Sequence, residues 1–176
     1  RAATMMAGMT AAFDIGEARV QFLGIAKVRR DFDQIVEIFP TVGKGDLKEA
    51  VRVVQPDGCG EYLQWCFNSA LVRIPDKTIL VDTGFGFTEG GPGLGTAALL
   101  KECGIQPEQV DTVVITHAHG DHIGGLTDEG APSMPGARIV MAKAEFEFWM
   151  GGAADRLLGA ESASAQRKAL SVCRTQ

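Results

Sequence analysis

Apolar residues in this chain fall mostly into short runs of alternating character, broken by turn residues and by a few stretches of helical period. Val20, Phe22, Ile25 and Val28 sit among polar partners between Ala18 and Val28, which predicts a strand or hairpin with Gly24 as a bend. Leu47, Ala50, Val51 and Val54 fall at i, i+3, i+4 and i+7, predicting a short amphipathic helix with Asp46 as N-cap and Glu49 at its third position. Pro56, Asp57 and Gly58 then form a turn, and a strand follows over Tyr62–Asn68, continued by Ala70–Ile74. Pro75, Asp76 and Lys77 turn the chain back into Thr78–Val81, so that this hairpin delivers Asp82 to a strand end. Further on, a helix is expected over Thr96–Cys103, closed by Gly104, and Pro107 opens a short turn before a strand at Asp111–Thr116. The Gly/Pro-rich stretch Thr127–Gly136 reads as a loop, Ala137–Met141 as a strand, Lys143–Met150 as a helix, and the Ala/Ser-rich remainder from Gly151 as helical. Strands and helices interleave throughout, which makes this an α/β protein, read as part of one domain over residues 1–176 without internal repeats.

The chemistry is concentrated in one place. His117, His119 and His122 are the only histidines, and with Asp121 they form an H-x-H-x-D-H run directly after the apolar strand. In an extended segment side chains alternate, so His117 and His119 point the same way and can share one metal ion. Asp121 and His122 can converge on a second ion only if the backbone turns, which Gly120, Gly124 and Gly125 make sterically easy. Imidazole nitrogen with carboxylate oxygen suits zinc best, and manganese, iron or cobalt would accept the same geometry. Two ions roughly 3.5–4 Å apart can hold a bridging hydroxide at neutral pH, which makes hydrolysis the natural reaction. Packing alone is a poor explanation for three histidines and an aspartate in six residues.

Other features change this picture little. Residues 84–95 carry six glycines after a strand and before a helix, but the third glycine of a G-x-G-x-x-G pattern would fall at Glu89 or Thr96, and no G-K-[S/T] follows. The stretch is read as a loop beside the site, with Phe85 and Phe87 either lining a substrate pocket or packing the loop. Phe146, Phe148 and Trp149 are read as core. A net charge of −5 argues against a general nucleic-acid surface, and the basic Lys27, Arg29 and Arg30 read as a solvated strand end. Cys59, Cys66, Cys103 and Cys173 contain no C-x-x-C pair and read as thiols of a reducing, cytoplasmic compartment. No apolar run of about 20 residues is present to span a membrane, and the thin apolar character of the first thirteen residues does not suggest a secretory signal.

Thr116–Gly125, T-H-A-H-G-D-H-I-G-G, resembles the T-H-x-H-x-D-H-x-G-G signature of the metallo-β-lactamase superfamily, and Thr78–Gly84, T-I-L-V-D-T-G, resembles the strand and turn that precede it there. The resemblance implies an αββα sandwich with metals at one edge of two facing sheets. It implies His117 and His119 as ligands of a first zinc, Asp121 and His122 as ligands of a second, and Asp82 as a buttress beneath the metal loop. A bridging hydroxide would attack a carbonyl or phosphoryl centre of a small-molecule substrate, with Asp121 also passing a proton to the leaving group. The family supplies further ligands downstream of the signature, whereas no histidine follows His122 here, so the sandwich is expected to be incomplete. The chain is accordingly expected to be the N-terminal half to two-thirds of such a protein, with an apolar sheet face left uncovered, catalytic when completed, and open to homo-oligomerisation. The K-A-E-F-E-F-W-M block resembles the lactonase and organophosphate-hydrolase branch, which ranks lactones, esters and phosphotriesters first. Thioester hydrolysis of the glyoxalase II kind, nuclease action, sulfur oxidation at a single iron, and a non-catalytic metal-binding fragment stay open, because a fold does not fix a function.

Overall fold

The computed structural model describes residues 8–54, 62–86 and 95–171. The turn expected at Pro56–Gly58, Cys59, Phe87 and Cys173 lie outside the described residues. Strand β1 (Gly8–Ile15) and the long β2 (Ala18–Asp31) form a hairpin through Gly16, whose φ of 59° suits a residue without a side chain. The hairpin partner was not anticipated, because the small residues before Phe13 carry almost no alternation. A bulge between Gly24 and Ala26 lets β2 continue to Asp31, three residues past the expected end, against β3 (Tyr62–Ile74). Asp31 then caps helix α1 (Phe32–Ile38) by accepting the Gln34 N–H at 2.9 Å. That helix was also unforeseen, being only seven residues long. Helix α2 (Lys44–Val54) has the expected apolar stripe, but it begins three residues before Leu47, the first helical position implied by an Asp46 N-cap. Asp46 therefore sits in its first turn, where it meets the positive end of the helix dipole, and is not the N-cap.

Strand β3 runs unbroken over the expected strand and its continuation, Ser69 included, and turns tightly into β4 (Lys77–Val81). Helix α3 (Thr96–Glu102) ends as expected, with Gly104 at φ 75°. After a single 3₁₀ turn at Pro107–Gln109 come β5 (Thr112–Ile115), the one-turn helix α4 (Gly120–Ile123) and a second 3₁₀ turn at Gly124–Leu126. Within the expected loop at 127–136, two-residue strands β6 (Thr127–Asp128) and β7 (Ala131–Pro132) pair with each other. Strand β8 (Arg138–Met141), helix α5 (Lys143–Met150), helix α6 (Ala153–Leu158) and helix α7 (Ala160–Ser171) complete the order.

Six strands form one sheet in the order β1-β2-β3-β4-β5-β8, antiparallel from β1 to β4 and parallel from β4 through β5 to β8. Cross-strand register puts Leu71, Leu80 and Val113 in one row on one face. There they pack with Leu23, Ile115, Leu100 of α3, Trp149 of α5 and Leu170 of α7 as the main core. Phe32 and Ile35 of α1, with Val51 of α2, make a smaller cluster over the end of the long hairpin. The opposite face of the sheet is also apolar. It carries Phe13, Val20, Phe22, Val72, Ile79, Val81, Val114 and Val140, of which Phe13 remains 43% and Val140 38% exposed. Among the described residues, helices pack on one face of the sheet and leave an apolar row on the other, the half-sandwich expected from the sequence. Among the described residues, no helix is long and apolar enough to cross a membrane.

Candidate metal centre

Strands β4 and β5 run parallel and end side by side, which brings Asp82 at the end of one beside Thr116 at the end of the other. The Asp82 carboxylate is buried and fully engaged. Its Oδ1 accepts the Thr116 N–H at 2.9 Å, and its Oδ2 accepts the Thr116 hydroxyl at 2.8 Å and lies 2.8 Å from His122 Nδ1. Asp82 has a φ of 59°, a left-handed conformation that aspartate tolerates better than most residues, and its own N–H is tied to Val114 O at 2.9 Å. Thr83 continues the clasp, since both its N–H and its hydroxyl donate to His122 O, at 2.7 and 2.9 Å.

Beyond β5 the chain bends at Thr116 and again at His119, whose own backbone is extended. Between them Ala118 is buried, while His117 and His119 come together, with His117 Nε2 and His119 Nδ1 3.0 Å apart. The turn needed to bring in Asp121 and His122 is α4, which starts at Gly120 with His119 as its N-cap. It stacks the His122 ring 3.9 Å from that of His117, centroid to centroid, and sets His122 Nε2 3.4 Å from Asp121 Oδ2. The two ring nitrogens of His122 thus face two carboxylates, Asp82 at Nδ1 and Asp121 at Nε2. Burial, then the neighbouring His122 and His119, lower the His117 pKa, and the carboxylates of Asp82 and Asp121 oppose this less strongly. A depressed pKa keeps that imidazole neutral and able to donate a lone pair.

Glycines were expected to ease the turn through backbone freedom. Gly124 and Gly125 act instead by what they leave out. A Cβ on Gly124 would lie 2.2 Å from Phe85 O, and one on Gly125 would lie 2.2 Å from Thr83 O and 2.7 Å from the Thr96 hydroxyl. The loop after His122 and the segment after Asp82 thus touch backbone to backbone. Phe85 packs on Phe67, ring centroids 4.9 Å apart, which is the loop-packing role of the two weighed.

Glu145 was missed by sequence reasoning. Its Oε1 accepts both the Ala118 N–H and the Trp149 indole N–H at 2.8 Å, and the Trp149 ring meets that of His119 edge-on at 6.2 Å. Burial pushes the Glu145 carboxyl up, but these two hydrogen bonds and the nearby His117 and His119 outweigh it and hold the pKa below its ordinary value. The available signal was a Glu four residues before a Trp on one helix, spaced to face it. Trp149 itself is core, as expected, at 3% exposure.

The four sequence-derived ligand candidates are thus gathered into one loop, with Asp82 beneath them. Among the described residues, no group of three or more His, Cys, Asp or Glu converges as a complete cage for one ion. The donors present, a facing imidazole pair and an imidazole beside a carboxylate, fit divalent metal as two partial sites.

Residues 68–160, more than half of the chain, match the model of the metallo-beta-lactamase superfamily. The chain belongs to that superfamily. The matched span contains Asp82, the whole His117–His122 run and Glu145. Over 96% of its length the chain superposes on AidC, a dizinc quorum-quenching lactonase solved with a product, with TM-score 0.79 and 23% identity. It superposes over 98% of its length on the hydrolase AbOPH, with TM-score 0.79 and 22% identity. In each case it covers 60% of the solved chain. The anti-Pycsar protein Apyc1 of Saccharibacillus brassicae is 41% identical over 64 residues, which are 36% of this chain and 22% of that protein. These relatives show the metallo-β-lactamase fold for a chain that spans part of their length.

Proposed function

We propose that this chain carries the metal loop of a zinc-dependent hydrolase that acts on a small lactone, ester or phosphotriester. His117 and His119 would hold one ion, and Asp121 and His122 the second. The observation that carries this reading is the 3.0 Å approach of His117 Nε2 to His119 Nδ1, in a loop whose third histidine is oriented by a buried carboxylate. Bound divalent metal supplies a lowered pKa for water and positive charge against a developing oxyanion. The protein's part is to present lone pairs in fixed directions. Thr116 and Asp82 fix the start of the loop, the Asp82 carboxylate holds His122 at Nδ1, and α4 sets Asp121 beside its Nε2, where it can also move a proton to a leaving group. Lone pairs in place before metal arrives spare it the cost of ordering the loop.

The substrate class rests on the E-F-E-F-W block and on the fold shared with a dizinc lactonase, and the solved neighbours extend beyond the matched region. The activity is therefore assigned to the protein together with the counterpart of that region. The test is a panel of an acyl-homoserine lactone, an aryl ester, a phosphotriester and a glutathione thioester, assayed with zinc on the full-length protein and its His117→Ala variant. Turnover of one of the first three that H117A abolishes is expected. Turnover confined to the thioester would replace the substrate assignment, and turnover unaffected by H117A would overturn the metal reading.

A further inference from the structure

We infer that Glu145 is a positioning residue for the His117–His119 pair, acting through the Ala118 peptide and through Trp149. The inference rests on the metal reading of that pair, and it concerns how the pair is held. One carboxylate oxygen receives two donors from different places, the Ala118 N–H of the metal loop and the indole N–H of Trp149, each at 2.8 Å. Ala118 is the single residue between the two histidines, and its side chain is fully buried. The peptide that Glu145 grips therefore fixes the direction in which both neighbouring side chains leave the backbone. The second donor matters as well, because the Trp149 ring stands edge-on to His119 and limits how far that imidazole can swing. Thr116 and Asp82 anchor the loop from the β4–β5 side, and Glu145 on α5 anchors it from the opposite side, 27 residues on from Ala118. The pair at 3.0 Å sits between these two anchors.

Both bonds end on one oxygen, so Glu145→Gln keeps an amide oxygen able to accept both, whereas Glu145→Ala removes the acceptor. The experiment measures the zinc dissociation constant by competition with a chelating dye for the wild-type chain, E145Q and E145A. In the zinc-free proteins it also records hydrogen exchange at the Ala118 amide and the ring-nitrogen resonances of His117 and His119. E145A is expected to bind zinc about 10–100-fold more weakly, to lose Ala118 protection and to shift both histidines, while E145Q stays close to wild type. Wild-type zinc affinity with unchanged histidine resonances in E145A would overturn the inference. So would an E145Q as weak as E145A, which would point to charge in place of hydrogen bonding. If the wild-type chain takes up no zinc, the zinc-free resonances and Ala118 exchange still decide whether Glu145 positions the loop. If E145A does not fold, Trp149→Phe removes one of the two donors. The same signs at smaller size are then expected, and wild-type values in W149F would overturn the inference.

Discussion

Asp82 Oδ2 lies 2.8 Å from His122 Nδ1, although the two residues are 40 positions apart in the chain. The same oxygen accepts the Thr116 hydroxyl, so one buried carboxylate links the end of β4, the end of β5 and the histidine of α4. A carboxylate on the far nitrogen of a ligand imidazole orients the ring and raises its basicity.

Replacing Asp82 separates orientation from folding. Asn tolerates the left-handed backbone at φ 59° and keeps one acceptor, so Asp82→Asn should weaken zinc binding about 10–100-fold while the chain stays folded. Asp82→Ala strands the Thr116 donors and places a methyl at that φ, and should cost about 1–3 kcal/mol in urea unfolding as well. Equal zinc affinity in wild type and D82N would remove Asp82 from the site.

Gly125 should not tolerate a side chain. A methyl there would sit 2.2 Å from the Thr83 backbone O and 2.7 Å from the Thr96 hydroxyl, which itself donates to Thr83 O, so there is little room to shift. Gly125→Ala is expected to destabilise the chain by at least about 2 kcal/mol in denaturant titration, with Gly120→Ala, which meets nothing within 4 Å, far milder. Similar midpoints for the two variants would show that the close approach is not rigid.

How much could be read beforehand follows from where the physical signal lies. Side-chain alternation is a local rule, so the H-x-H spacing predicted His117 and His119 on one side without any tertiary information, and their ring nitrogens lie 3.0 Å apart. Helix α5 was delimited correctly over Lys143–Met150 because Ala142 and Gly151 bound a compact apolar pattern. Strand β1 escaped because its residues are small and its pairing depends on β2. The glycine pair was recognised but given the wrong reason, since contact with Thr83 and Phe85 is set by tertiary structure and leaves no trace in backbone preference. Glu145 offered only its spacing to Trp149, and its contact with Ala118, on another element, is likewise set by tertiary structure.

Thiol chemistry should separate two cysteines. Burial, then the Glu102 carboxylate, raise the Cys103 pKa, with Arg73 opposing, whereas Cys66 is exposed. The thiolate is the reactive form, so a raised pKa leaves less of it at any given pH. Iodoacetamide at pH 8 should label the exposed Cys66 well before Cys103, and the Cys103 rate should keep rising at pH values above the ordinary thiol range. Peptide mass mapping over a pH series reads both, and equal rates throughout would contradict the burial.

The uncovered sheet face should make the chain self-associate. Phe13, Ile15, Ile74 and Val140 are each more than a third exposed on it. Ile15→Lys, at a position 64% exposed, should lower the sedimentation-equilibrium mass at high concentration and reduce binding of an apolar dye without loss of stability. A monomeric wild-type chain that binds no dye would mean that the face is covered.

The most direct test is zinc content by mass spectrometry after equilibration with zinc and removal of the free ion, for the wild-type chain and the double variant His117→Ala/His119→Ala. More zinc per chain is expected in the wild type than in the double variant, with both proteins folded by circular dichroism and the difference largest in the form extended by the region its relatives carry. Equal zinc in the two, in both the short and the extended form, would contradict the assignment of His117 and His119 as a metal-binding pair.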